Sequence, residues 1–288
     1  NQGWFMAMKR GRTSMKLLIP NNYSWIKGLA VIAMLALSAC ATPPPADDPE
    51  AVAEYNEIND PLEPTNRVIL EANLFFDDIL LKPLAQGYRF VLPEPARDGI
   101  RNALDNLRSP VILLNDLLQG EWERAFQTTM RFCINTTIGI GGLFDVASDL
   151  GLKSHDEDFG QTLAVWGAGE GPFLMLPLFG PSNIRDAVGL AVDSFSNPFT
   201  YYFDNIGYEW ANYTRTGLTA LDKRSRNLEL LDELEKTSLD FYSALRNLYR
   251  QRRADEILNG QPGANTTAPG VTFQFDDGKP RNETLLKN

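Results

Sequence analysis

An all-α fold is what this 288-residue sequence predicts, and three observations predict it. Apolar residues recur at helical spacing through most of the region from Asp60 to Leu258. Nowhere do four or more residues alternate cleanly between apolar and polar, so no sheet of any size is expected. Pro83, Pro93, Pro95 and Pro110 divide the first half of that region into short helical pieces, because proline lacks an N–H and clashes with the preceding turn.

The chain before Asp60 is of another kind. Lys9, Arg10, Arg12, Lys16 and Lys27 precede an uncharged run from Gly28 to Ala39, which is the layout of a signal peptide over residues 1–39. The run is too short for a membrane helix, which needs about 20 apolar residues. Met6, Met8 or Met15 is the expected start. Leu37-Ser38-Ala39-Cys40 resembles the lipobox of bacterial lipoproteins, in which the cysteine thiol receives diacylglycerol. Cys40 is therefore the expected lipidation site, and more than one acyl chain makes such an anchor stable. Ala41, where an aspartate would retain the protein, is expected to route it to the outer membrane. Residues 40–59 are rich in Pro, Asp and Glu and form the expected lipidated tether.

Charge narrows the function classes. Removing the five basic residues of the leader leaves 22 basic against 37 acidic residues, a net charge of −15. Such a surface argues against nucleic acid and against a polybasic hold on anionic lipid. With Cys40 acylated, Cys133 is left without a disulfide partner, and a small buried hydrophobe is its expected role.

Asp60-Pro61-Leu62-Glu63 predicts a helix start, with Asp60 as N-cap, Pro61 at the first helical position and Glu63 closing a capping box. The helix is expected to run to about Leu81, and its apolar positions cover more than one stripe. Such a helix is either central in a bundle or faces lipid on one side. Pro95 to Leu107, Val111 to Leu118 and Glu121 to Thr136 follow as helices, then a tight turn at Gly139-Ile140-Gly141-Gly142. Asn183 to Val192 is another short helix. Two longer segments, about Phe203 to Glu235 and Thr237 to Leu258, have the one-sided pattern of water-facing helices. The helical domain thus spans 60–258, and 259–288 is expected to be a disordered tail.

Between these helices, Phe173, Leu174, Met175, Leu176, Leu178 and Phe179 alternate with Pro172, Pro177 and Pro181, with no charge between Glu170 and Arg185. This stretch is too broken for a helix and too apolar for a solvated loop, which leaves an internal core loop or the wall of an apolar passage. Catalytic chemistry finds little support. His155 is the single histidine, in His155-Asp156-Glu157-Asp158, and is expected in a solvated loop with Asp158 as an N-cap rather than on a metal. No G-x-S-x-G elbow or phosphate-cradling loop is present, so no enzyme activity and no metal are expected.

Several motifs resemble the MlaA (VacJ) family of outer-membrane phospholipid-transport lipoproteins. They are Asp60-Pro61-Leu62-Glu63 with Asn66-Arg67, Leu117-Leu118-Gln119-Gly120, the run from Arg131 to Ala147, the run from Asp158 to Ser182, and Arg185-Asp186. The resemblance covers roughly Asn59 to Pro198 in matching order. It implies a ring-like assembly of short amphipathic helices in the periplasmic leaflet, with longer periplasm-facing C-terminal helices, an amphipathic channel, trimeric porin partners and a soluble periplasmic lipid carrier. Phospholipid is then the transported ligand, taken from the outer leaflet to maintain lipid asymmetry, with no cofactor beyond the covalent lipid on Cys40. On that reading Phe173, Leu174, Met175, Leu176, Leu178 and Phe179 line or gate the channel, and Gly167, Gly169 and Gly171 are its hinge. Asn73, Leu74, Phe75 and Phe76 then lie on a helix that sets the ring's depth. The alternative is an anchored structural lipoprotein that binds a membrane-protein partner without moving lipid.

Overall fold

The structure, a computed structural model, describes residues 58–259. The expected signal peptide, Cys40 and nearly all of the tether and tail lie outside the described residues. Helix α1 (Glu63–Phe76) carries Pro64 in its first turn, where the missing N–H has no helical partner to lose. Asp60 is not its N-cap as expected. It is buried, and its carboxylate meets Asn66, Tyr242 and Arg246 instead, because a buried negative charge needs a cation and donors.

A π-helical turn at Asp77–Leu81 joins α1 to α2 (Lys82–Val91), so the expected break at Pro83 is absent. Arg224 holds Asp77 in the π turn through two hydrogen bonds of 2.7 Å. Pro110 likewise fails to end a helix. It sits inside α3 (Glu94–Gln119), where Val111, Ile112, Asn115 and Asp116 are buried and anchor the turns that follow it. Gly120, at φ 79°, closes α3, and α4 (Trp122–Thr137) packs back against it. Cys133 on α4 is exposed, contrary to expectation, because Ala125, Thr128 and Asn135 form the buried face. The expected turn after α4 forms with Ile140 at φ 53° and Gly141 at φ 69°.

A short α5 (Val146–Asp149) precedes α6 (Phe159–Val165), which Asp158 does cap by accepting from Gln161 N at 2.9 Å. The proline-rich apolar stretch then makes what the sequence did not predict, an antiparallel hairpin of β1 (Phe173–Leu176) and β2 (Gly180–Asn183). Its register pairs Phe173 with Asn183 and Leu176 with Gly180. Pro181 removes a donor from β2, which an edge strand tolerates. Asn183 caps α7 (Ile184–Ser196), and α7 crosses α6 so closely that a Cβ on Gly189 would lie 2.3 Å from Gly160 N.

The first of the two long C-terminal segments expected from sequence is divided among α8 (Pro198–Asn205), α9 (Glu209–Arg226) and α10 (Leu228–Thr237), whereas the second forms one helix, α11 (Phe241–Ile257). Gly207 at φ 78° separates the first pair. The buried apolar cluster comprises Leu70, Phe173, Met175 and Tyr242, with Ile69, Leu74, Phe241, Leu245 and Tyr249 around it. It joins α1, β1 and α11, so the hairpin is built into the core at its base.

Candidate functional site

β1 has a sheet partner on one edge only, and α1 supplies the other. Asn66 and Asn73, two helical turns apart on α1, face the same side, and Asn59, seven residues before Asn66, precedes the helix at φ 46°. Asn59 Nδ2 donates to Gly171 O at 2.8 Å, while its carbonyl accepts from Phe173 N at 3.1 Å. Asn66 Nδ2 donates to Phe173 O at 3.0 Å and its Oδ1 accepts from Met175 N at 2.9 Å. Asn73 repeats the pattern, donating to Leu176 O at 3.0 Å and accepting from Leu178 N at 2.8 Å. The amide groups act as a third strand, satisfying backbone that an exposed edge would leave unpaired.

Charged clamps hold the ends of this unit. Asp60 receives the Tyr242 hydroxyl and Arg246 Nη1, the latter at 2.9 Å. Below β2, Asp186 collects Arg185, Arg253, Asn183 and the Tyr249 hydroxyl. Burial and the neighbouring Asp186 carboxylate push the Tyr249 hydroxyl well above its usual pKa, so it stays a donor. Arg253 also grips the α6 cap, Asp158, at 2.6 Å. Burial opposes ionisation of Asp158, but the Arg253 guanidinium outweighs it and lowers that carboxyl to about 2.

The hairpin divides its apolar residues. Phe173 and Met175 are 1% and 2% exposed and belong to the core, so these two anchor the hairpin rather than line an open surface. Leu174 and Leu176 are half-buried on the opposite face, whereas Leu178 and Phe179 at the tip are 67% and 68% exposed. Leu178 holds φ 66°, a left-handed conformation uncommon for a branched side chain. Gly167 and Gly171 have φ 90° and 70°, while a Cβ on Gly169 would meet open space. At Gly171 that Cβ would lie 3.2 Å from Ile184 Cβ.

Polarity elsewhere is turned inside out. The interior holds Asn66, Asn106, Asn115, Asp116, Thr128, Asn135, Glu157, Gln161 and Thr162, all buried. The exterior of the same half of the described chain shows Val68, Phe75, Phe76, Ile79, Phe90, Trp122, Phe126, Ile138, Phe144 and Trp166. The broad apolar face of α1 is therefore an outward face, not that of a central core helix. By contrast, α10 buries Leu228 and Leu234 and exposes its charges, as expected of a helix in water, while α11 buries Tyr242 and Leu248 together with the clamp arginines Arg246 and Arg253.

His155 is not in a solvated loop. Its Nε2 lies 3.0 Å from Asp116 Oδ1 and 3.1 Å from Thr128 Oγ1. Hydroxyl and carboxylate share one ring nitrogen, which is not the relay a hydrolase needs, with base and orienting acid on opposite nitrogens. Glu157 beside it is fully buried, which raises its carboxyl, while Gln119 and Arg124 pull it down. Among the described residues no group of three or more His, Cys, Asp and Glu is placed to hold a metal.

The family model for MlaA lipoprotein matches residues 58–256, which spans the hairpin, the asparagine ladder and both clamps. The chain belongs to the MlaA family. Relatives include the intermembrane phospholipid transport system lipoprotein MlaA of Haemophilus influenzae, 32% identical over 237 residues that cover 81% of this chain and 90% of that protein. The MlaA of Escherichia coli K12 is also 32% identical, over 76% of this chain and 87% of its own length. An uncharacterised protein of Rickettsia prowazekii is 36% identical over 69% of this chain and 78% of its own. A solved chain from a study of the structural basis for maintenance of bacterial outer membrane lipid asymmetry matches with a TM-score of 0.61 and 33% identity, covering 69% of this chain and 98% of that one. The all-α class and the MlaA resemblance expected from sequence both hold. The asparagine ladder of this MlaA member escaped the sequence reading although its signal, one residue type at a seven-residue spacing before and along an apolar helix, was present.

Proposed function

We propose that this protein is an outer-membrane lipoprotein that removes phospholipid from the outer leaflet through an amphipathic channel and passes it to a soluble periplasmic carrier, in association with a trimeric porin. The inverted polarity of α1 to α7 carries the reading. Exposed aromatic and aliphatic side chains at this density are unfavourable in water and favourable in a lipid leaflet, while buried amides and carboxylates supply a polar interior. No described helix is long and apolar enough to cross a membrane, which suits a body seated in one leaflet.

Drawing a two-chain lipid bare through water costs on the order of 20 kcal/mol, at about 0.8 kcal/mol for each methylene. A continuous apolar wall removes most of that cost. Leu174, Leu176, Leu178 and Phe179 supply the wall or gate on the free side of the hairpin, with Gly167, Gly169 and Gly171 as the flexible approach to it. Phe173 and Met175 contribute as anchors. Phe75 and Phe76 are exposed beyond Asn73 on α1, which suits a depth-setting role for that helix.

The test places a charge at the tip. Phe179→Asp and Leu178→Asp alter exposed positions and are expected to leave the melting temperature within a few degrees of wild type. They are expected to raise outer-leaflet phosphatidylethanolamine, read by labelling intact cells with an impermeant amine reagent. Normal labelling in both variants contradicts a gate at the hairpin tip. Labelling that is normal even when the gene is deleted favours the structural-lipoprotein reading.

A further inference from the structure

The exposed aromatic side chains change character along the chain. On α1 to α4 they are chiefly phenylalanine, as at Phe75, Phe90 and Phe126. Among the described residues every exposed tyrosine falls between positions 201 and 213: Tyr201, Tyr202, Tyr208 and Tyr213, with Trp210 among them. Trp210 is 62% and Tyr213 77% exposed. These residues lie on α8, on the turn at Gly207 and at the start of α9, a segment whose sequence predicts a water-facing helix.

Packing fixes which side chains face out. Phe199 and Phe203 are half-buried and stack with centroids 6.4 Å apart, and Phe199 reaches Phe132 on α4 at 6.5 Å. Tyr201 and Tyr202, beside them on α8, are left exposed. Asn212 and Arg215 staple α9 to α8. Asn212 Nδ2 donates to Thr200 O at 3.0 Å and to Asp204 Oδ1 at 2.8 Å, and Arg215 Nη2 donates to Thr200 Oγ1 at 2.9 Å. The Tyr208 and Trp210 rings meet edge to face at 6.2 Å. The Tyr201 hydroxyl donates to Phe195 O at 2.7 Å, which joins this surface to α7. There Ile184, Val188, Ala191 and Phe195, one face of the helix, are exposed and apolar. The tyrosines therefore stand in the chain between the apolar exterior of α7 and the water-facing α10.

Tyrosine and tryptophan join an apolar ring to a polar tip, and they concentrate where acyl chains give way to headgroups. Charge narrows the lipid. No Lys or Arg occurs from Asp186 to Thr214, whereas Asp204 and Glu209 are exposed. An anionic surface would repel these carboxylates, while the ammonium of a zwitterionic headgroup is attracted both to them and to the faces of the rings. We propose that α8 and the first two turns of α9 form an aromatic belt that docks on the headgroup layer of a zwitterionic lipid surface. That this surface belongs to the leaflet holding α1 to α7 rests on the transport reading; the headgroup contact rests on the belt alone.

The experiment reconstitutes the full chain into vesicles of phosphatidylethanolamine and phosphatidylcholine that carry bromines either just below the headgroup or near the acyl end. Bromine quenches tryptophan fluorescence on contact, so the two lipids report depth. Trp122→Phe with Trp166→Phe leaves Trp210 as the one tryptophan beyond the expected signal peptide, and Trp166→Phe with Trp210→Phe leaves Trp122. All three positions are exposed, so both chains are expected to melt near wild type. Trp210 is expected to be quenched about two-fold more by the shallow bromines than by the deep ones, equally in low and high salt. Tyr208→Asp with Tyr213→Asp is expected to halve that quenching, and undiminished quenching in a chain that melts as wild type overturns the belt. Trp210 quenched more by the deep bromines, by neither, or only when anionic lipid is added at low salt also overturns it. Trp210 quenched while Trp122 is not upholds the belt and instead defeats the seating of α1 to α7 in a leaflet.

Discussion

Asn66 shows at the scale of one residue how the protein fixes an apolar hairpin with polar groups. Its amide meets Asp60, Phe173 O and Met175 N in a buried setting, so Asn66→Leu strands a carbonyl and an N–H without water. The expected loss is about 2 to 4 kcal/mol, seen as a lower midpoint in chemical denaturation, and an unchanged midpoint would contradict the ladder. Asp158 makes a pH-dependent contribution. Its carboxyl falls from 3.8 to about 2 on folding, so its stabilisation is fully present above pH 4 and fades as the pH drops through 2. That contribution amounts to about 2 kcal/mol at neutral pH. Asp158→Asn, which still caps α6, is expected to flatten the decline in melting temperature between pH 4 and 2, and a parallel decline would refute the Arg253 pairing as its source. Sequence made the cap legible, since Asp before an apolar helix is a local signal. It could not show the partner, because Arg253 is 95 residues away.

At the scale of elements, the hairpin and α1 form one unit, so motion at the glycines is resisted by three asparagines. Gly171→Val adds a Cβ 3.2 Å from Ile184 at a positive φ and is expected to lower stability, whereas Gly169→Ala enters open space and is not. The two variants separate damage to the fold from loss of flexibility when melting and lipid exposure are measured together. Leu178→Gly relieves the left-handed strain and is expected to stabilise by about 1 kcal/mol; a destabilised variant would show that tip packing outweighs backbone strain. The hairpin was hidden in the sequence because β1 is apolar on both faces and β2, Gly180-Pro181-Ser182-Asn183, has the composition of a turn, so alternation gave no signal. Pro110 misled for a related reason: tertiary burial of Val111, Ile112 and Asn115 holds α3 through a residue that local rules treat as a stop.

Over the whole molecule the decisive feature is the contrast in polarity between α1 to α7, with apolar side chains outward, and α10, which buries its leucines. Composition could not reveal it, since an apolar share of 43% fits an ordinary core as well as an apolar exterior. Motif order carried the family, and the structure added where the apolar residues face. A body of this kind is expected to partition into detergent or vesicles even with Cys40→Ser removing the acyl anchor. The central claim is phospholipid removal from the outer leaflet, and outer-leaflet phosphatidylethanolamine in a deletion strain tests it most directly. The account predicts a rise on deletion that the wild-type gene reverses and the Phe179→Asp gene does not. No rise on deletion would contradict it.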